Sequence, residues 1–395
     1  MATDAANPQS LIREAMSLLQ RGDTSGAMAQ LEVALQRFPQ DTGVRLNRAM
    51  VQRVAGNLHA ALAELDAALV IDPYFFLALL SKGSVLERMG EHRAAALVYR
   101  DAIKIAPPTH AMPPAMQEPL THARAIVEED ARNLAEFLQQ QTASVKAAHA
   151  GTASARLDEC LQILAGRQRI YHAEPVQLHV PRLPAIPFFD RSYFPWLPTL
   201  EAATGTIREE LTALMDAGMP GFAPYINYPP GAPLNQWAEL NRSSEWSSLW
   251  LWRDGRPQAE AIARCPRTAA LLAELPMADQ PGFAPTAVFS ALAPRTHIPP
   301  HTGSTNARLL VHLPLILPGP ARFRVGNEER AWQMGQAWCF DDSIEHEAWN
   351  DADQTRVILI FDIWNPLLSQ AERELVAALM LARTAWYEPA GSGPA

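Results

Sequence analysis

Over residues 8–108 small and apolar side chains recur at helical spacing, and the whole pattern then repeats. Ala27, Ala61 and Ala95 are 34 residues apart, as are Ala34, Ala68 and Ala102, and likewise Leu35, Leu69 and Ile103. Gly22, Gly56 and Gly90 keep the same two steps, and so do Pro39, Pro73 and Pro107. Ala15, Ala49 and Gly83 stand seven residues before each glycine. Small residues let two helices approach closely, glycine breaks the chain between them, and proline ends the second helix because it cannot continue the hydrogen-bond ladder. The spacing predicts three helical hairpins.

This period, with its glycine and proline positions, resembles the tetratricopeptide repeat over about residues 8–108. The resemblance implies an all-α superhelix whose concave face holds a peptide or protein partner. Three repeats are near the minimum for stability, so the following segment is expected to cap them. Residues 108–118 are proline-rich and read as a linker. Residues 119–167 read as two helices, the first with Val127, Leu134 and Leu138 among its buried positions. The second contains Leu157, Leu161 and Leu164 and stops near Gly166. Pro175, Pro181, Pro184 and Pro187 then arrive with Phe188, Phe189, Tyr193, Phe194 and Trp196. This shift places a domain change near residue 175. The expected division is a repeat domain over 1–108, a helical connector over 109–175 and a β-rich domain over 176–395.

From residue 284 the pattern changes to short strands with turn signals between them: 287–292, 307–317, 321–325, 336–340 and 356–364. Regular short strands predict a sandwich or barrel of the jelly-roll type. Trp246, Trp250 and Trp252 fall at even spacing, which predicts one packed sheet face. Ser369 and Glu372 form a capping box that opens a helix to about Trp386, and residues 388–395 read as a disordered tail. Of 395 residues, 33 are Lys or Arg and 42 Asp or Glu, a net charge of −9. A nucleic-acid partner, which needs a large cationic surface, is therefore not expected. The start of the chain lacks the pattern of a secretory signal, and its apolar runs are too short for a membrane span. With only three cysteines, the chain is expected to be soluble and cytoplasmic, in a reducing compartment.

Histidines cluster near the strand ends. One stretch reads His297-Ile-Pro-Pro-His301-Thr-Gly-Ser-Thr-Asn306-Ala-Arg308-Leu-Leu-Val-His312, and a second reads Phe340-Asp-Asp-Ser-Ile-Glu-His346-Glu-Ala-Trp349. Arg356 follows ten residues after His346 and opens an apolar strand. In order and spacing these motifs resemble the aspartyl/asparaginyl β-hydroxylase family of Fe(II)- and 2-oxoglutarate-dependent oxygenases. Glu245–Gly255 and Cys265–Thr268 are similar to the family as well, so the resemblance covers roughly residues 180–367.

The resemblance implies a double-stranded β-helix (jelly-roll, cupin-like) domain with His301 and His346 as iron ligands. It implies Arg356, Ser290 and His312 as contacts of the 2-oxoglutarate cosubstrate, with Trp246 lining the same pocket. A guanidinium suits that dicarboxylate because it matches a carboxylate with two parallel bonds. The usual third ligand, a carboxylate two residues after the first histidine, is replaced by Gly303, a feature of this family. The gap also admits a halide, so a halogenating oxygenase is one alternative, and a non-catalytic scaffold with a degenerate cupin is another. Leu310 stands where family members commonly carry arginine, and Val288 where aspartyl-hydroxylating members carry a cation. Arg308, two residues from 310 on the same strand face, is expected to replace the missing cation in part and to join the cosubstrate contacts. These departures weaken the case for an acidic substrate side chain. The activity implied is hydroxylation of an unactivated carbon, foremost the β-carbon of a residue in a peptide or protein that the repeats present. Glu345 or Glu347 is expected to orient the His346 imidazole. Asn306 and Asp341 are expected to fix their turns, and His297 to play a structural or pocket-edge role.

Overall fold

The computed structural model describes residues 7–108, 112–149 and 155–387. The expected tail, the first residues of the chain and the centre of the proline-rich linker lie outside the described residues. The chain divides into two compact units, Met1–Gln168 and Arg169–Ala395. Residues 169–175, which the composition assigns to the connector, belong to the second unit.

In the first unit, α1 (Pro8–Gln20) and α2 (Thr24–Arg37), α3 (Thr42–Val54) and α4 (Leu58–Ile71), and α5 (Phe76–Arg88) and α6 (His92–Lys104) form three hairpins. Gly22, Gly56 and Gly90 adopt φ of +83°, +81° and +80°, a left-handed conformation that only glycine takes at no steric cost. Asn7, Asp23 and Asp41 cap α1, α2 and α3, each accepting a backbone N–H three residues on. The repeated alanines at 27, 61 and 95, and at 34, 68 and 102, are fully buried. A long helix, α7 (Pro114–Ala148), packs on α6 and is followed by α8 (Ala155–Leu164). It begins inside the stretch that composition reads as linker, because proline is well placed in a first helical turn, where N–H groups have no partner anyway. Leu120, Ala123, Ala131 and Ala135 are its buried positions, while Val127, Leu134 and Leu138 are only half-buried.

The second unit is antiparallel and β-rich. Helices α9 (Leu197–Ala202) and α10 (Thr204–Asp216) precede strands β1 (Ala223–Pro224), β2 (Trp246–Arg253) and β3 (Arg256–Pro257). Helices α11 (Ala259–Arg264) and α12 (Pro266–Glu274) lead into β4 (Ala287–Leu292), β5 (His297–His301), β6 (Arg308–Ile316) and β7 (Ala321–Val325). Strands β8 (Glu328–Ala331), β9 (Trp338–Phe340), β10 (His346–Asn350) and β11 (Arg356–Trp364) complete the sheets before helix α13 (Gln370–Tyr387). The larger sheet has the order β1-β2-β4-β11-β6-β9, with β3 on β2, and the smaller has β5-β10-β7-β8.

Alternation along β11 divides the core. Val357, Leu359, Phe361 and Ile363 pack against Leu200, Ile207, Leu211 and Leu272 of the helices. Ile358 and Ile360 face the smaller sheet. The three tryptophans of β2 do not share one face: a register shift between Trp250 and Trp252 sends Trp252 to the helix side. A bulge adds one residue and so inverts every later side chain. The proline-rich segment after residue 170 is a strap: the N–H groups of Glu174, Val176 and Phe189 donate to Ser343, Gly303 and Cys339 carbonyls at 2.7–2.9 Å. Ser369 and Glu372 form the capping box expected of α13.

Gly83 lies directly against the buried ring of Tyr99, so that a Cβ there would come within 2.2 Å of a ring carbon. Gly83→Ala is expected to destabilise the repeat unit by about 1–3 kcal/mol, the usual cost of overpacking, as read from urea unfolding. An unchanged midpoint would show that the ring has room to move.

Candidate functional site

Strands β5 and β10 are neighbours, and His301 pairs directly with His346 in their register. Directly opposed residues in a sheet point to the same face. The two rings accordingly meet inside the sandwich, with centroids 4.1 Å apart. Each Nδ1 lies beside a backbone carbonyl two residues upstream, that of Pro299 at 2.8 Å and that of Ile344 at 2.9 Å. A carbonyl only accepts, so Nδ1 carries the proton in both rings and each Nε2 presents a lone pair. Burial pulls the His301 pKa down to about 4 and takes that of His346 well below its ordinary value, helped by the adjacent His301. Both rings are neutral at pH 7, as metal binding requires.

Across the cavity, the larger sheet supplies Arg356 from β11, Ser290 from β4 and His312 from β6. Arg356 is 1% exposed. Its Nε and Nη1 have no hydrogen-bond partner, and its guanidinium rests on the ring of Trp332 at 4.5 Å. It pairs with none of Asp341, Asp342 or Asp362, the fold partners available to it by sequence. Burial alone lowers its pKa to about 9. His312 is buried beside it, and its Nδ1 is also unpartnered. Burial and the neighbouring Arg356 keep that ring neutral. The Ser290 hydroxyl accepts from Trp246 Nε1 at 3.0 Å, leaving its own proton free to donate. Trp246 stacks on Tyr225 at 4.0 Å and 6°, and Trp237 packs edge-on to His301. These groups line one cavity of about 210 Å³.

The structure thus brings together His301, His346, Ser290, His312, Arg356 and Trp246. It does not bring in Arg308, which is missing from the cavity wall. Its guanidinium bonds Asp362 Oδ2 and the Phe283 carbonyl instead. Glu345 and Glu347 do not orient His346 either: both turn to Arg324, and Glu347 also accepts from His297 Nε2 at 2.8 Å. The alternation of a strand makes this unavoidable, since both neighbours of an inward residue point outward. Asn306 closes no turn; its amide bonds the N–H and carbonyl of Val180. Asp341 does hold its turn, accepting from the Ser343 N–H.

Sequence reasoning misses the aromatic lining residues Tyr225, Trp237 and Trp332 and an acidic one, Asp342. The Asp342 carboxylate fills the space beside Gly303, where a Cβ would lie 1.8 Å from its Oδ2. A carboxylate side chain at 303 therefore has no room, and Asp342 puts one there from another loop. Burial and neighbouring Asp341 raise its pKa to about 8. The doublet Asp341-Asp342 was visible in the sequence, but nothing local separates the turn-former from the cavity residue. Among the described residues no cluster of three or more His, Cys, Asp or Glu is disposed to hold a metal. The two imidazoles could hold one face of an ion that accepts nitrogen ligands, and the unpaired guanidinium could take a carboxylate.

The geometry defines a helical-repeat protein whose β-rich unit encloses a buried histidine and arginine pocket. The family profile described as aspartyl/asparaginyl β-hydroxylase matches residues 201–366. An ornithine lipid ester-linked acyl 2-hydroxylase of Rhizobium tropici is 34% identical over 204 residues, 50% of this chain and 68% of that protein. Human aspartyl/asparaginyl β-hydroxylase is 34% identical over 192 residues, 48% of this chain, and the chain spans 24% of its length. The chain belongs to the aspartyl/asparaginyl β-hydroxylase family. Among solved structures, the tetratricopeptide domain of Sgt2 from Aspergillus fumigatus is similar over 32% of this chain and 82% of its own, at 23% identity and a TM-score of 0.28.

Two outcomes follow from burial. In the metal-free protein the rings of His301, His346 and His312 are expected to stay neutral at pH 6 by ¹⁵N NMR, where an ordinary imidazole, with a pKa of about 6.5, is mostly protonated; titration of any of the three above pH 6 contradicts this. Arg356→Met is expected to leave the ligand-free protein as stable or more so, because it removes a buried charge without a partner. A loss of more than about 2 kcal/mol in urea unfolding would mark Arg356 as a structural residue.

Proposed function

We propose that the second unit is an Fe(II)- and 2-oxoglutarate-dependent hydroxylase on a double-stranded β-helix. The observation that carries this reading is Arg356, a buried guanidinium with unpaired N–H groups in the same cavity as two imidazoles whose Nε2 atoms are free. The strand orders β4-β11-β6-β9 and β5-β10-β7-β8 support the β-helix reading. His301 and His346 would hold the iron, and Arg356, with the Ser290 hydroxyl and His312, would bind and orient the cosubstrate. When bound, the iron and cosubstrate supply the oxidation: 2-oxoglutarate, O2 and a substrate C–H give succinate, CO2 and a C–OH. The protein's part is position and dryness. Trp246, Tyr225 and Trp237 shield the cavity from water, and Trp246 holds Ser290 in place.

The substrate carbon is read as one in a peptide or protein residue, the β-carbon foremost, as the name of the human relative suggests. The repeats would capture that partner. In support, Leu46, Met50, Leu77 and Leu80 line a mainly apolar groove of about 340 Å³ in the first unit. No helix of the described residues is long and apolar enough to cross a membrane. The intact set of histidines and arginine argues against a degenerate scaffold. The Asp342 carboxyl fills the space beside Gly303, which argues against a halide in that gap.

Anaerobic addition of Fe(II) and 2-oxoglutarate is expected to produce a visible charge-transfer band, and air to produce succinate. His301→Ala and His346→Ala are expected to abolish the band. Arg356→Met is expected to weaken 2-oxoglutarate binding at least about tenfold. A wild-type protein without the band sinks the oxygenase reading, and chlorinated product would redirect it to halogenation.

A further inference from the structure

We propose that the group this site acts on is uncharged and largely aliphatic, and that Asp362 enforces this by occupying Arg308. The inference rests on the oxygenase reading above and names its substrate class. Two rows of side chains on the larger sheet run side by side, His312, Leu310 and Arg308 on β6 and Arg356, Ile358, Ile360 and Asp362 on β11; all but Arg308 and Asp362 line the cavity. Charge stands at both ends of these rows and aliphatic side chains fill the middle. At one end Arg356 is unpaired, which suits the cosubstrate carboxylate. At the other end Arg308 is bonded to Asp362, and the two side chains are 13% and 4% exposed. Asp362 is itself fixed by the Thr286 N–H at 2.8 Å, and Arg308 by the Phe283 carbonyl at 3.0 Å.

This pair holds the cation next along the row from Leu310 out of the cavity wall. To gain that cation, a substrate carboxylate would have to draw Arg308 into the cavity and away from Asp362, which is already in place and tied at its other oxygen. Burying a second anion without a partner is costly. The wall itself offers no cation besides Arg356: Ile298, Leu310, Ile358, Ile360 and Ile226 are apolar, and Asp342 carries a carboxyl. Arg356 cannot serve both cosubstrate and substrate. An acidic side chain therefore has no counter-charge here, whereas an alkyl group meets complementary surface. An aliphatic amino-acid side chain and an acyl chain share this chemistry.

The test uses the full chain loaded anaerobically with Fe(II) and 2-oxoglutarate, and reads binding by titration calorimetry. The probes are decanamide, a blocked hexapeptide with a central leucine, and the same peptide with aspartate at that place. At least one aliphatic probe is expected to bind about tenfold or more tighter than the aspartyl peptide; which one does so distinguishes acyl chain from side chain. Asp362→Asn is expected to raise affinity for the aspartyl peptide about tenfold by freeing Arg308. Because breaking a buried pair can unfold a protein, Leu310→Arg, which leaves the pair intact, is the second variant and should likewise erase the preference. The proposal is overturned if the wild type prefers the aspartyl peptide, or if neither aliphatic probe binds a protein that forms the charge-transfer band. Absence of the band overturns the oxygenase reading itself, and this inference with it.

Discussion

The second unit is organised around a guanidinium buried between two sheets with no carboxylate beside it. Removing a cation from water is expensive, and the fold returns little of that cost: Arg356 has an aromatic ring beneath it and two guanidinium nitrogens with no partner. Such an arrangement persists only where the surrounding packing is strong enough to carry it. Here two apolar clusters, one on each face of the larger sheet, enclose β11 along its length. The same burial that strains the arginine keeps His301, His346 and His312 neutral. One constraint, dryness, thus prepares both halves of the pocket.

Precision at the histidine pair comes from outside the cavity. The strap after residue 170 bonds the Gly303 and Ser343 carbonyls, close to both ligand candidates. On the outer face of the smaller sheet, Arg324 joins Glu345 to Glu347, and Glu347 continues to His297, which stacks on Trp349. These contacts fasten β10 to β7 and β5 without touching the imidazole of His346. The acidic residues flanking that histidine therefore hold its strand rather than its ring.

The first unit was legible because each repeat states its helices, its break and its stop three times over. In the second unit β4, β7 and β11 were legible to the residue: β4 and β11 are largely apolar runs, β7 alternates apolar residues with arginine, and turns bound all three. Strands β5, β8 and β10 were not. Pro299 and Pro300 argue against a strand, and β5 tolerates them because it lies at a sheet edge. Strand β8 is almost wholly polar, and β10, His-Glu-Ala-Trp-Asn, has no β-branched residue. The sheet that carries both histidines is thus the one least visible in local pattern.

The family resemblance carried by the two histidine motifs and Arg356 picked out His301, His346, Ser290, His312 and Arg356, and the fold sets these five around one cavity; strand alternation, a local property, already fixes which neighbours share a face. Charge pairing is not local. Arg308 and Asp362 are 54 residues apart, and only the β6–β11 register sets them side by side. Likewise only the packing of two loops decides that Asp342, and not its neighbour, fills the space beside Gly303. The sequence determined which groups can bind; the tertiary structure decided which charges remain free to do so, since a charge is spent or available according to what folding places next to it.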